Sequence, residues 1–344
     1  MDKLKAELLA LGVKNLILKE AGKVVWQFQT EPNRLFNQYS VTKAFTALAC
    51  LAACRAGFLS LDSNVTELLK KLEAANKANL SSTNTEQIET HIKANCVENL
   101  AITAKEVRYD VSELNALAIK LEQAELQLLF CNLPKRARLE QLTIRHLLNM
   151  TSGHGQTHMF IDERQKLSLG TNWFDFCLNL SFARRPGTHF LYTNAGPYMA
   201  GVLVQALTGK RLSQNLANLF KLGLGMEHVK WQQDPLGYEF GASELFMSTE
   251  KLSEFAEILR KGGQAYTSEE AVKLATSVSY NNAEKGIYYG YGFWLYPDGA
   301  YRADGSHGQY IMVDAKRNLS LAVNSDATDE RQLKELLYTS LIKH

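Results

Sequence analysis

Hydrophobic and polar positions fall into three regimes along the chain. Residues 13–19 (VKNLILK) and 23–29 (KVVWQFQ) alternate, and Glu20-Ala21-Gly22 between them is a turn signal, so the pattern predicts a β-hairpin. Ahead of it, MDKLKAELLALG reads as an amphipathic helix. Phe36 to Leu48 (FNQYSVTKAFTAL) reads as an extended approach, then a helix opened by Ser40, with Val41, Phe45 and Leu48 at helical spacing. That helix runs on through apolar residues until Gly57 breaks it.

Residues 63–138 are helix-rich and polar without strand signal. KANLSSTNTEQ in their middle is loop-like, and 111–130 places Val111, Leu114, Leu117, Leu121 and Leu128 at helical intervals, as a packing helix would. A short helix is expected over 142–153, ending at Ser152-Gly153. Pro186-Gly187 turns the chain into a short extended piece, and helices follow at 195–208 and 249–262. From 288 the period changes to strands (YYGYGFWLY, 300–313 and 319–325) separated by turns, which predicts an antiparallel meander closed by a helix at 329–343. Strands at both ends with helices between them imply an α/β (α+β) fold. One antiparallel sheet forms from the N- and C-terminal segments, and an all-helical domain is inserted. The expected division is 1–60 with 245–344 for the sheet domain and 61–244 for the helical domain, enlarged at about 70–138.

Composition narrows the function classes. The chain has 344 residues, 46% hydrophobic and 22% charged, with a net charge of +2, so neither a nucleic-acid stripe nor an acidic tail is suggested. No apolar run approaches membrane-spanning length, and the N-terminus lacks a signal peptide's pattern. The five cysteines, at 50, 54, 96, 131 and 177, show no metal spacing, and with no signal they imply reduced thiols in the cytoplasm. His154 and His158 straddle Gly155 with no third ligand evident, so no metal and no cofactor is assigned.

The chemistry centres on Ser40 and Lys43. Residues at i and i+3 share a helix face, so the lysine amine reaches the hydroxyl, and the helix start favours the alkoxide. The spacing alone decides nothing, because Ser-x-x-Lys recurs at Ser248/Lys251 and Ser340/Lys343; only Ser40 sits in an uncharged run ahead of a long apolar helix. After the Pro186-Gly187 turn, Tyr192 and Asn194 are delivered to one side, the first as a proton shuttle whose phenol a neighbouring cation would acidify, the second as a hydrogen-bonding amide. Gly305 and Gly308 flank a strand start where a backbone N–H can join that of Ser40 as an oxyanion donor. Ser40, Tyr192 and Gly305 are expected to meet at the domain junction.

FNQYSVTKAFTAL, GFLSLDSNV, LTIRHLLNMTSGH, RRPGTHFLYTNAGPYMAGVLVQALTGK, LGLGME and GQYIMVDAKRNLSLAVNS occur in this order and cover most of the chain outside 70–138. Together they resemble the serine β-lactamase and penicillin-binding-protein superfamily, in its class C β-lactamase-like and esterase-like branch. The resemblance puts that family's first motif on Ser40 and Lys43 and its second on Tyr192 and Asn194. It implies an acyl-enzyme on the serine, with lysine and tyrosine sharing the proton traffic.

Two departures stand out. The family's third motif, Lys-Thr-Gly or His-x-Gly, falls on Ala303-Asp304-Gly305 with the Ser306 N–H as oxyanion donor, so its lysine is absent; a shifted register brings His307 near the site. Strand alternation puts Arg302 on one face with Asp304, where the two can pair. The second departure is the long 70–138 link. The expected activity is an esterase or amidase on a small-molecule substrate, with β-lactamase or D-amino-acid peptidase activity, or non-catalytic binding on the same scaffold, as alternatives. No nucleic-acid or membrane partner is expected, and oligomeric state stays open.

Overall fold

A computed structural model describes residues 1–80, 139–167, 171–219, 225–226, 229–263 and 269–343. The helix expected over 111–130, and most of the 70–138 link, lie outside the described residues. α1 (Asp2–Ala10) leads into the hairpin β1 (Val13–Glu20) and β2 (Lys23–Gln29), whose turn carries Ala21 and Gly22 at positive φ. The chain then passes β3 (Phe36–Asn37) and a 3₁₀ turn (Tyr39–Val41) into α2 (Thr42–Arg55), and after a break into α3 (Val65–Leu80).

β1 pairs with the far end of the chain. The sheet has eight strands in the order β2-β1-β11-β10-β9-β8-β7-β6, where β6 is Tyr280–Asn282, β7 Ile287–Tyr289, β8 Trp294–Leu295, β9 Tyr301–Gly305, β10 Gln309–Asp314 and β11 Leu319–Ser325. Every pairing in it is antiparallel. Alternation sorts its residues between two cores. Tyr301, Ala303, Ile311, Val313 and Ala322 face α2 and the helix Thr249–Arg260, where Phe45 stacks on Phe255 at 3.9 Å between centroids. Tyr310, Met312, Leu321 and Val323 face the other way, onto Leu8 of α1 and Leu333 and Leu337 of the C-terminal helix Glu330–Leu337. That helix continues as a π-helical turn, Tyr338–Ile342.

Between β3 and β6 the described residues are mostly helical or loop. The helix Ala195–Thr208 packs against α2, and every α2 residue from Thr42 to Ala53 is buried, as a helix surrounded on all sides must be. The helix expected over 142–153 is shorter, Ile144–Leu148, because Asn149 leaves helical geometry and Met150 takes φ +64°. A small sheet β3-β5-β4, with β4 Lys230–Trp231 and β5 Leu245–Met247, was not foreseen, since two- and three-residue strands carry no readable period. The run YYGYGFWLY is divided into β7 and β8 at Gly290-Tyr291-Gly292. Gly292 has φ +78°, and a Cβ there would stand 2.6 Å from the Lys43 carbonyl oxygen, so the chain turns directly beneath α2.

Candidate active site

Ser40 lies inside the 3₁₀ turn, one step ahead of α2, and the turn is entered through Tyr39 at φ +43°, a region that side-chain-bearing residues rarely occupy. Gln38 holds this entry in place. It is fully buried, its Nε2 donates to the carbonyls of Phe36 (3.0 Å) and Met247 (3.1 Å), and its Oε1 accepts from Asn324 Nδ2 (3.2 Å). Asn324 also donates to Gln309 Oε1 (2.8 Å), and Gln309 Nε2 donates to the Ser325 carbonyl (2.6 Å). A chain of three buried amides thus ties the serine turn to β10 and β11. Each has its hydrogen bonds inside the protein, as burial demands.

Lys43, the second residue of α2, is 1% exposed. Its Nζ lies 2.8 Å from Ser40 Oγ, 2.7 Å from Asn194 Oδ1 and 2.8 Å from the Ala242 carbonyl oxygen. Asn194 Nδ2 donates to the Met159 carbonyl (3.1 Å), which fixes the amide so that its oxygen faces the lysine. Burial pushes the Lys43 amine well below its ordinary pKa, and the Arg164 charge pushes it further the same way. A neutral amine has two N–H groups and one lone pair. Asn194 and Ala242 offer only acceptors, so in the neutral form they would take the two N–H groups and leave the lone pair for the Ser40 hydroxyl.

Tyr192 closes the opposite side. Lys43 Nζ stands 5.0 Å from the centre of its ring, the Ser40 side chain bears on its phenol, and Trp294 stacks on it at 5.6 Å between centroids. The acidified phenol expected from the sequence is not what the surroundings produce. Burial raises the Tyr192 pKa, the Ser40 bond opposes this only in part, and the Asp304 charge adds to the rise.

The end of β9 runs against the serine turn. A Cβ on Gly305 would lie 2.3 Å from the Gln38 carbonyl oxygen, so only glycine lets the strand come this close. Ser306 and His307 follow in an exposed turn; His307 has φ +61°, donates its N–H to Glu330 Oε1 (2.5 Å) and lays its ring against Tyr39 at 5.2 Å. Ala303 is buried on the inner face, and Arg302 pairs with Asp304 (Nε to Oδ1, 2.9 Å). Ser40, Lys43, Tyr192 and Asn194 therefore share one hydrogen-bonded cluster. Gly305 abuts it through Gln38, and His307 through Tyr39. Gln38, Gln309 and Asn324 escaped sequence reasoning, although uncharged amides inside otherwise apolar strand patterns are a usable sign of buried polar structure.

The other titratable candidates have structural duties. Arg145 pairs with Asp62 and donates to Tyr291 OH (2.7 Å). His146 Nδ1 lies 3.3 Å from the Thr143 N–H. Ser152 Oγ meets His154 Nδ1 at 3.0 Å, and Glu163 meets His158 Nδ1 at 2.9 Å. Among the described residues no three His, Cys, Asp or Glu side chains are grouped to hold a metal ion.

A family model described as Beta-lactamase matches residues 16–339, nearly the whole chain. The chain belongs to the beta-lactamase family. A search of curated proteins finds no match. Solved structures with the beta-lactamase fold do match. The octameric penicillin-binding protein homologue from Pyrococcus abyssi aligns with 98% of this chain and 76% of its own at 18% identity and a TM-score of 0.67. A penicillin binding protein from Bacillus halodurans aligns over 98% and 99% at 15% identity and a TM-score of 0.63. EstCE1, a hydrolase with promiscuous acyltransferase activity, gives 98%, 99%, 13% and 0.63 in the same order. At such identities these likenesses establish the fold. Among the described residues of this beta-lactamase-family hydrolase, no helix is long and apolar enough to cross a membrane.

Proposed function

We propose that the chain is a serine hydrolase that works through an acyl-enzyme on Ser40 and cleaves small, uncharged esters or amides. The observation that carries this reading is the enclosure of Lys43: its Nζ lies 2.8 Å from the serine hydroxyl, its other partners only accept hydrogen bonds, and burial favours the neutral amine, whose lone pair then serves the hydroxyl. Lys43 takes the Ser40 proton as Oγ attacks the substrate carbonyl. Tyr192, held as a neutral phenol, relays a proton to the leaving group and later helps water attack the acyl-enzyme. The N–H groups of Ser40 and Ser306 serve the oxyanion, because the Gly305 contact draws the end of β9 onto the serine turn.

The substrate preference follows from charge. An anionic substituent entering the site loses water and needs a cation in compensation. Ala303 provides none at the third motif, and Arg302 is already paired with Asp304. EstCE1, described as a hydrolase with promiscuous acyltransferase activity, supports acyl transfer as the reaction class without choosing the acyl group. The helical unit 61–244 and the sheet unit 1–60 with 245–344 serve as the two walls of the site in this reading. Among the described residues the cysteines Cys50, Cys54 and Cys177 are free thiols, which fits work in the cytoplasm.

The test is incubation with a fluorophosphonate followed by intact-mass and peptide analysis. One phosphonyl group on Ser40 is expected. An adduct on any other residue, or an unlabelled protein that nonetheless hydrolyses p-nitrophenyl acetate, overturns the mechanism.

A further inference from the structure

Lys43 depends on two acceptors that come from distant parts of the chain, Asn194 and the Ala242 carbonyl, and one buried side chain connects the segments behind both. Arg164 ends the short helix Ile161–Arg164. Its guanidinium donates twice to the Glu244 carboxylate, through Nη1 to Oε2 at 2.9 Å and through Nη2 to Oε1. It also lies 4.2 Å from the centre of the Phe240 ring and 5.6 Å from that of Trp173, and both charged residues are buried.

The Glu244 end leads to Ala242. Residues 241–245 are pinned to α2 at Thr46 Oγ1 (to the Gly241 carbonyl, 2.7 Å), at Lys43 and at Thr42. Glu244 itself holds φ +65°, a strained conformation for a residue with a Cβ, which persists only where its surroundings fix it. The Arg164 end leads to Asn194. Its neighbour Glu163 accepts from the Met159 N–H and meets His158, the His158 carbonyl accepts the Asn194 N–H (3.1 Å), and the Met159 carbonyl accepts Asn194 Nδ2.

We propose that Arg164, through its pair with Glu244, is a positioning residue for the reaction: it braces both acceptors of Lys43 and sets a fixed positive charge behind the amine. This rests on Lys43 being the proton acceptor, as argued above. The charge acts in the useful direction, since a cation nearby disfavours a second one on Lys43. The Lys43 amine faces Ser40, Asn194 and the Tyr192 ring, with Asp304 acting on Tyr192 and Glu244 held on Arg164; among the described residues, the charge that bears on Lys43 is that of Arg164. A buried pair retained here also has a cost, because paired hydrophobic residues of the same volume are often as stable. Catalytic placement supplies a reason to keep it.

The experiment uses the full chain with ε-labelled lysine. The titration of Lys43 is followed by NMR and the pH dependence of Ser40 phosphonylation is measured alongside. Three proteins are compared: wild type, Arg164→Met/Glu244→Gln and Arg164→Lys. The double variant leaves no buried charge unpaired, and thermal melting verifies that it is folded. Its Lys43 titration, and the acid limb of its phosphonylation rate, are expected to move upward by about one pH unit, the low end for loss of a nearby charge. Arg164→Lys keeps the charge and is expected to keep the wild-type midpoint while its rate falls from imperfect bracing. An unmoved Lys43 midpoint in the folded double variant, or an equal shift in Arg164→Lys, overturns the proposal. The NMR midpoint needs no turnover, so failure of Ser40 to react would count against the proposed function and leave this measurement decisive.

Discussion

The same three-residue spacing occurs at Ser40/Lys43 and at Ser248/Lys251, and the two sites do opposite things with it. At the second, Ser248 Oγ accepts the backbone N–H of Lys251 (3.4 Å) and caps the helix Thr249–Arg260, while the lysine side chain keeps part of its surface in water. At the first, the side-chain amine itself meets the hydroxyl, because the serine is inside the turn rather than capping it. Water reaches one amine; enclosure takes water from the other and lowers its pKa. Spacing places a lysine near a serine. In the proposed mechanism, burial among acceptors is what makes it a base.

The largest expected effect separates the two serines outright. Ser40→Ala should abolish covalent labelling and hydrolysis, and Ser248→Ala should leave both intact. Peptide mapping of the phosphonylated protein checks this, and an adduct that survives Ser40→Ala would remove the contrast.

The lysines come next. Lys43→Ala and Tyr192→Phe should each lower kcat by about 10²-fold or more, the usual scale for lost acid–base assistance, while Lys251→Ala changes it little. The pH profile carries a sign. Because the Lys43 pKa is lowered in the fold, its active neutral form is lost as pH falls through that lowered value, so the acid limb of kcat/KM should belong to Lys43. A limb unchanged in a weakly active Lys43→Arg variant would assign it elsewhere.

Much of this was legible in the residues. The β1–β2 hairpin, the meander to β11, the apolar character of α2 and the placing of Ser40, Lys43, Tyr192 and Asn194 follow from periodicity, turn chemistry and ordered motifs that leave strong local marks. What was not legible depends on contacts distant in sequence. The Gln38–Asn324–Gln309 chain spans 286 positions between Gln38 and Asn324. The Arg164–Glu244 pair joins a short helix to a loop, neither of which has a period. The state of Tyr192 differs for a related reason: burial, with the Asp304 charge, raises its pKa, and depth of burial leaves no local mark in the residues.

Substrate charge sharpens the comparison at the other wall of the site. Arg302 and Asp304 cancel one another, so short neutral p-nitrophenyl esters should be cleaved far better than nitrocefin, whose carboxylate finds no free cation at Ala303. Similar kcat/KM values for the two would show that Arg302 or His307 turns to meet the anion. Arg302→Ala should then depress nitrocefin turnover alone.

The smallest effect inverts the first. Ser248 contributes to stability through its cap, and removal of an N-cap side chain costs about 1 kcal/mol, less where the bond is long, as 3.4 Å is. Ser248→Ala should therefore lower the midpoint of chemical unfolding slightly and leave kcat untouched. Ser40 caps nothing, and burial with the Arg164 charge, not the serine hydroxyl, sets the Lys43 pKa, so Ser40→Ala should leave the midpoint unchanged or raise it. Functional groups placed for reaction, rather than for packing, behave this way when removed. Denaturant titration of both variants beside wild type reads the two signs directly. A Ser40→Ala protein destabilised as much as Ser248→Ala would mean that the Ser40–Lys43 bond is structural, and the enclosure of Lys43 would then need another explanation.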